Sequence, residues 1–170
     1  MQLPNFLIIG ASKAGTTSLY FYLKQHPQIY LSSIKEVNYF AIKDGNTLSG
    51  PGDKRWYKNS ISNLDLYNKL FKDVKREIAI GEASPTYLHS KIAPTNIYEL
   101  IPDAKLIAIL RNPMEQAYSY YVFLRGTGQD KANIFLVALE LEENRLKNNW
   151  YWPKYKYAGR YAQQLKRYYK

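Results

Sequence analysis

Apolar residues fall along this chain in short blocks separated by polar stretches with helical spacing. Phe6-Leu7-Ile8-Ile9-Gly10, entered from Asn5, is a continuous apolar run ending in glycine, the pattern of a strand buried on both faces. Residues 16–25 read as a helix with Leu19, Tyr20 and Leu23 on one face, ended by His26-Pro27. Residues 29–31 form a second short strand, 64–71 a helix, 77–81 a third strand and 93–101 a helix. Residues 105–110, Lys-Leu-Ile-Ala-Ile-Leu, are the clearest buried strand of the chain. Helices are expected over 114–124, 134–147 and 159–170, and residues 44–58, rich in Gly, Asn, Asp and Lys with Pro51 among them, as an exposed loop. Apolar runs alternating with helical pattern predict an α/β fold, a parallel sheet with helices on its faces. No internal repeat or low-complexity tract interrupts it.

A length of 170 residues, 46% of them apolar, supports a single domain over residues 1–170. The chain has no cysteine, which excludes disulfides, thiolate metal sites and a cysteine nucleophile but leaves the redox compartment open. No stretch approaches the roughly 18 consecutive apolar residues of a membrane span, and the N-terminus lacks a signal-peptide pattern. A soluble, cytoplasmic protein is therefore expected. The 24 basic and 14 acidic side chains leave a net charge of +10, which favours an anionic partner without choosing among nucleotide, sulfated or phosphorylated substrate, nucleic acid and acidic lipid. Much of that surplus lies between Trp150 and Lys170, where Lys154, Lys156, Arg160, Lys166 and Arg167 stand with no acidic residue. Such an aromatic and basic tail suits either single-stranded nucleic acid or a packed helix.

Candidate chemistry begins at the first strand-to-helix turn, Gly10-Ala11-Ser12-Lys13-Ala14-Gly15-Thr16-Thr17-Ser18. Glycines let the backbone approach a ligand, successive amides point into the loop, and the start of the next helix favours an anion. The ordinary alternative is a glycine turn with a helix cap. Gly10 and Gly15 keep the gap of the nucleotide triphosphatase loop, but Thr16 stands where that motif needs lysine, and the lysine has moved to Lys13. The triphosphatase motif pairs its lysine with a magnesium-holding hydroxyl, whereas a sulfuryl donor carries less charge and can be handled without metal.

A second element closes the clearest strand, where Arg111 precedes Asn112-Pro113 and a helix that carries Ser119. An arginine at the carboxyl end of a parallel strand faces the ligand crevice, and its fork suits phosphate. A surface ion pair is the plainer reading. The third element, Lys35-Glu36 after the second strand, is by itself an adjacent charge pair on a solvated loop. His26 ends a helix and reads as a packing and capping residue, while His89 is a weaker second candidate for a base.

Taken together these segments resemble the sulfotransferase family. Its 5'-phosphosulfate loop commonly reads Pro or Ala-Lys-x-Gly-Thr-Thr-x-Leu, matched here by Ser12-Lys13-Ala14-Gly15-Thr16-Thr17-Ser18-Leu19. Its 3'-phosphate segment, Arg-Asn/Asp-Pro with a serine six residues on, falls on Arg111 and Ser119. Lys35-Glu36-Val37-Asn38-Tyr39-Phe40 is similar to the Lys-Glu-x-x-Phe/Tyr-Phe segment of the glycosaminoglycan-type and bacterial branch. Gly81-Glu82-Ala83-Ser84-Pro85-Thr86-Tyr87 is like its Gly-Glu-x-Ser/Thr-Pro-x-Tyr, with small Ala83 where glycosaminoglycan members usually carry lysine. Tyr157-Ala158-Gly159-Arg160-Tyr161 with Leu165 and Tyr168 fits a family helix packed near the nucleotide, which favours the helix reading of the tail over nucleic acid.

The resemblance implies a three-layer α/β/α fold of the P-loop-containing nucleoside triphosphate hydrolase type, incomplete at its C-terminus. It implies 3'-phosphoadenosine-5'-phosphosulfate (PAPS) as donor, PAP as product, no metal, and a hydroxyl or amine acceptor on a carbohydrate or small molecule. Glu36 becomes the general base and Lys13 the neutraliser of leaving-group charge, with Lys13, Ala14, Gly15, Thr16, Thr17, Ser18, Arg111 and Ser119 holding the donor. Lys35, Ser84 and Tyr87 are expected to meet the acceptor. A P-loop kinase or triphosphatase, and a truncated module that binds PAPS or PAP without catalysis, are the alternatives.

Overall fold

The apolar blocks do form a parallel sheet. A computed structural model describes residues 2–42, 53–148, 150 and 154–169. Its four strands are β1 (Phe6–Gly10), β2 (Ile29–Leu31), β3 (Ala79–Ala83) and β4 (Lys105–Ala108), all parallel in the order β2-β3-β1-β4. Phe6 lies opposite Gly81 on one side and Lys105 on the other, so β1 is flanked by β3 and β4 and all five of its residues are buried.

Alternation along β1 divides the core into two layers. Leu7 and Ile9 face one side, with Tyr67, Phe71 and Ile97; Phe6 and Ile8 face the other, with Tyr20, Leu31 and Ala83. The first side is covered by α3 (Leu64–Lys69) and α4 (Ala93–Leu100), the second by α1 (Thr16–Leu23), which gives the α/β/α layering that sequence alternation predicts. Leu7 and Ile8 have no exposure, so truncating either to alanine costs about 2–5 kcal/mol.

Start signals hold where side chains can act locally. The Asn63 carboxamide oxygen caps α3 by accepting from the amides of Asp65 (2.8 Å) and Leu66 (3.1 Å). Asn112 does the same for α5 (Pro113–Gly126), whose first residue is proline. His26, expected to pack and cap, is exposed beyond the end of α1, and its Nδ1 accepts from the Gln28 amide at 3.2 Å in the following turn.

Three expectations change. The segment read as a loop over 44–58 contains α2 (Asp53–Asn59), while 44–52 lies outside the described residues. Residues 105–110, the clearest buried strand by sequence, supply the edge strand of the described sheet, ending at Ala108 with Lys105 exposed and the next three residues half-buried. The final helix is broken: α7 (Tyr155–Ala158) and α8 (Tyr161–Leu165) are followed by a 3-10 turn, Lys166–Tyr168, and Lys170 is not among the described residues. The break at Gly159 lets the chain pass Pro113, to which a β-carbon at that position would stand only 3.1 Å away.

That tail packs rather than protrudes. Tyr155 has no exposure and sits against Tyr120, Tyr121 and Phe135 of α5 and α6 (Phe135–Lys147). Tyr161 joins the main core, and the Tyr168 hydroxyl donates to the Tyr87 carbonyl at 2.7 Å.

Candidate active site

The loops leaving the carboxyl ends of β1, β2 and β3 surround a cleft of about 850 Å³. Ligands collect at this edge of an open parallel sheet because chain directions diverge there. Lys13, Gly15, Thr16 and Thr17 line one wall, Lys35 and Glu36 another, and α2 and α5 contribute Trp56 and Phe123.

The β1 loop needs backbone that ordinary residues avoid. Lys13 has φ 63° and Gly15 has φ 101°; glycine adopts the latter without steric cost, whereas Lys13 is held there by its surroundings. Two contacts from the β4–α5 region do the holding. Gln116, fully buried, donates its side-chain N–H to the Ser12 carbonyl at 3.1 Å, and an Arg111 Nη1 donates to the Lys13 carbonyl at 3.5 Å. The first turn of α1 carries no acidic residue, and Gly15 has no side chain to cap it, so its free amides and dipole are open to an anion. The Lys13 ammonium lies 4.5 Å from the Phe123 ring centroid, a cation–π contact that points it into the cleft.

Glu36 also sits in left-handed backbone, at φ 64°. Its amide donates to the Ala83 carbonyl at 2.8 Å, tying the loop to the end of β3. Its carboxylate is half exposed and pairs with the Lys35 ammonium at 2.5 Å. The facing walls thus present a lysine beside an anion cradle and a carboxylate able to take a proton.

Other residues assigned from sequence are placed differently. Arg111 and Ser119 lie outside the residues lining this cleft, as do Ala14 and Ser18. Arg111 is exposed, paired with Glu115 at 3.0 Å and set against the back of the β1 loop. Ser84 and Tyr87, expected to meet the acceptor, are wholly buried; their neighbours Pro85 and Thr86 line the cleft instead. Ser84, two positions after Glu82, and Tyr87, in the turn that follows β3, both donate their hydroxyls inward to Glu82, at 2.8 and 2.6 Å. His89 is corrected too. It is buried outside the cleft lining, and burial, reinforced by the charges of Lys154 and Arg167, pushes its pKa down to about 3. It is neutral at pH 7.

Sequence reasoning gave no role to Glu82, Asn38, Gln116, Trp56 or Phe123. Glu82 and Asn38 stand inside quoted motifs. An acidic residue within an otherwise small and apolar strand segment is the signal that marks Glu82, because such a group must be satisfied indoors. Burial raises its pKa to about 7, against lowering by its Tyr87 and Ser84 hydrogen bonds. Among the described residues no group of three or more His, Asp or Glu is placed to hold a metal ion, and no helix is long and apolar enough to cross a membrane.

Comparison with known proteins agrees with this geometry. A sulfotransferase from Alicyclobacillus acidocaldarius, known from its crystal structure, is 40% identical and superposes with a TM-score of 0.90 over 99% of this chain and 68% of its own. The membrane-associated sulfotransferase kil1 of Dictyostelium discoideum is 35% identical over 121 residues, 71% of this chain and 23% of that protein. Human bifunctional heparan sulfate N-deacetylase/N-sulfotransferase 3 is 34% identical over 128 residues, 74% of this chain and 13% of that protein. The chain spans less than a quarter of the length of these two relatives. The sulfotransferase domain model matches residues 3–170, and with it the chain belongs to the sulfotransferase domain family of transferases.

Proposed function

We propose that this protein transfers a sulfuryl group from PAPS to a hydroxyl or amine of a carbohydrate or small-molecule acceptor. One observation carries the reading: Lys13, beside an open helix start, and Glu36, in a strained backbone, line the same cleft. The S–O bond to the donor 5'-phosphate breaks, a new bond forms from sulfur to the acceptor atom, and the acceptor proton passes to the Glu36 carboxylate. Lys13, the Gly15–Thr17 amides and the α1 dipole balance negative charge arriving on the 5'-phosphate oxygen. Lys35 orients the Glu36 carboxylate until the acceptor enters. Arg111 and Ser119 are assigned to the 3'-phosphate, beyond the β1 loop. Relatives named for N-sulfotransfer support an amine as well as a hydroxyl acceptor.

Binding is tested first by thermal shift. PAP without magnesium should raise the melting temperature; stabilisation by ATP with magnesium and not by PAP favours a P-loop kinase or triphosphatase instead. Lys13→Ala should cut transfer by about 10²–10³-fold or weaken donor binding. Glu36→Gln should leave PAP binding intact and lower transfer by about 10²–10⁴-fold. Transfer that survives it removes Glu36 as the base. A chain that binds PAP but never turns over PAPS is a binding module.

A further inference from the structure

The loop bearing Glu36 is tied to the sheet through a chain of buried hydrogen bonds that starts at Glu82. The Glu82 carboxyl has no exposure and accepts from the Ser84 hydroxyl (2.8 Å) and the Tyr87 hydroxyl (2.6 Å). Ser84 Oγ in turn accepts the Asn38 backbone amide at 3.1 Å. The Asn38 side chain donates to the Glu36 carbonyl at 2.7 Å and to Ser60 Oγ at 3.1 Å, and accepts from the Thr86 hydroxyl at 2.6 Å. Ser60 Oγ donates to the Trp56 carbonyl at 2.7 Å, so the chain also reaches α2, another wall of the cleft.

We infer that Glu82 is a positioning residue: through Ser84 and Asn38 it holds Glu36 and the Trp56 wall in the geometry the cleft requires, and its protonation state sets how firmly. The inference rests on Glu36 as base. Glu36 and Asn38 both occupy left-handed backbone, at φ 64° and 55°, a conformation costly for side-chain-bearing residues that persists only when external bonds impose it. An ionised Glu82 keeps Ser84 a donor toward it, which polarises Ser84 Oγ and strengthens its bond from Asn38. A protonated Glu82 must itself donate one hydrogen, and a hydroxyl that had donated must turn. If Ser84 turns, its Oγ keeps a lone pair for the Asn38 amide but no longer donates to an anion, and that loss of polarisation weakens the tie. The titratable groups facing Glu82 are Tyr67 on α3, Tyr87 after β3 and Lys35 after β2. Tyr67 lies close without a well-formed hydrogen bond, and Lys35, the cation among these groups, pairs with Glu36 rather than with the Glu82 carboxyl.

Hydrogen exchange tests this on the intact chain, with wild type, Glu82→Gln and Ser84→Ala followed from pH 5.5 to 8.5 and corrected for intrinsic rates. In the wild type, amides of residues 34–40 should exchange about tenfold faster at the acidic end, the worth of one charge-assisted hydrogen bond. Glu82→Gln, a permanent stand-in for the protonated acid, should exchange fast there at every pH, with β1 amides unchanged and PAP affinity within about twofold. Ser84→Ala should do the same. Protection of 34–40 that is flat with pH in the wild type, or uniform loosening of the sheet in Glu82→Gln, overturns the inference. If a variant does not fold, the wild-type pH profile decides. Failure of the wild type to bind PAP would strike the donor reading and leave this profile standing.

Discussion

Two buried carboxylates sit in opposite halves of this protein and are treated in opposite ways. Asp130, after α5, receives both Arg145 guanidinium nitrogens at 2.9 Å, the Tyr155 hydroxyl at 2.5 Å and the Ala132 amide at 2.8 Å. Burial alone would raise its pKa; the Arg145, Tyr155 and Ala132 bonds outweigh that and hold it below the ordinary value. Glu82, under the cleft, has two hydroxyls and no cation bonded to it, and burial leaves its pKa near 7. A cation makes an acid permanently ionic, hence purely structural. Hydroxyls leave it able to switch, which is tolerable in a fold only where the switch serves the site.

The sharpest way to break the contrast is to remove the cation's partner. Asp130→Ala leaves the Arg145 charge buried without its bidentate acceptor, and chemical denaturation should show a loss of about 3–5 kcal/mol. At pH 4.5, where folded Glu82 is protonated, Glu82→Gln should cost much less, about 1 kcal/mol, since it exchanges one neutral hydrogen-bond arrangement for another. Comparable losses in the two variants would erase the distinction.

Acid titration separates the groups next. His89 is kept neutral when folded down to about pH 3, whereas unfolded histidine takes a proton near pH 6.5. Stability should therefore fall by a few kcal/mol as pH drops from about 6.5 toward 3, and His89→Leu should flatten that slope. Glu82 has the reverse sign. Its folded pKa of about 7 lies above the unfolded value near 4.5, so its contribution is full below pH 4.5 and lost as pH rises to 7. Melting curves of wild type against Glu82→Gln should differ least below pH 4.5 and shift between about pH 4.5 and 7, the wild type losing stability relative to the variant.

Glu142 gives the most local of these effects. Its carboxylate accepts the backbone amides of Tyr155, Lys156 and Tyr157 at 3.0, 2.8 and 2.8 Å, capping α7 from a distant helix. Glu142→Gln removes the charge and one acceptor, and should cost about 1–2 kcal/mol, seen as faster exchange confined to residues 154–158.

Local pattern made the glycine-loop half of the candidate site legible. Lys13, Gly15 and Thr16 can be read because a strand, a glycine loop and a helix start are adjacent in the chain. Glu36 was read through its motif. Arg111 was read for a phosphate, and only the structure shows its Nη1 donating to the Lys13 carbonyl across 98 residues, outside the cleft lining. Gln116 was missed because an amide on a helix face gives no local sign that it will be buried against Ser12. Ser84 and Tyr87 were read as facing the acceptor from their motif, whereas the buried Glu82 carboxyl and the turn after β3 decided which way each hydroxyl points.

By itself the sequence determined the strand-helix alternation that implies a parallel sheet, and the glycine loop before α1, both legible from hydrophobic period and chain adjacency; the strand pairings themselves, Phe6 with Gly81 and Lys105, join distant parts of the chain. Tertiary structure alone decided that the most apolar-looking strand ends at the sheet's described edge, that residues 53–59 are helical, and that the basic tail folds back through Tyr155 and Tyr168. It also decided that Glu82 is poised and Asp130 fixed. An acid's state depends on which groups enclose it, and Arg145 and Tyr155 reach Asp130 from 15 and 25 residues away.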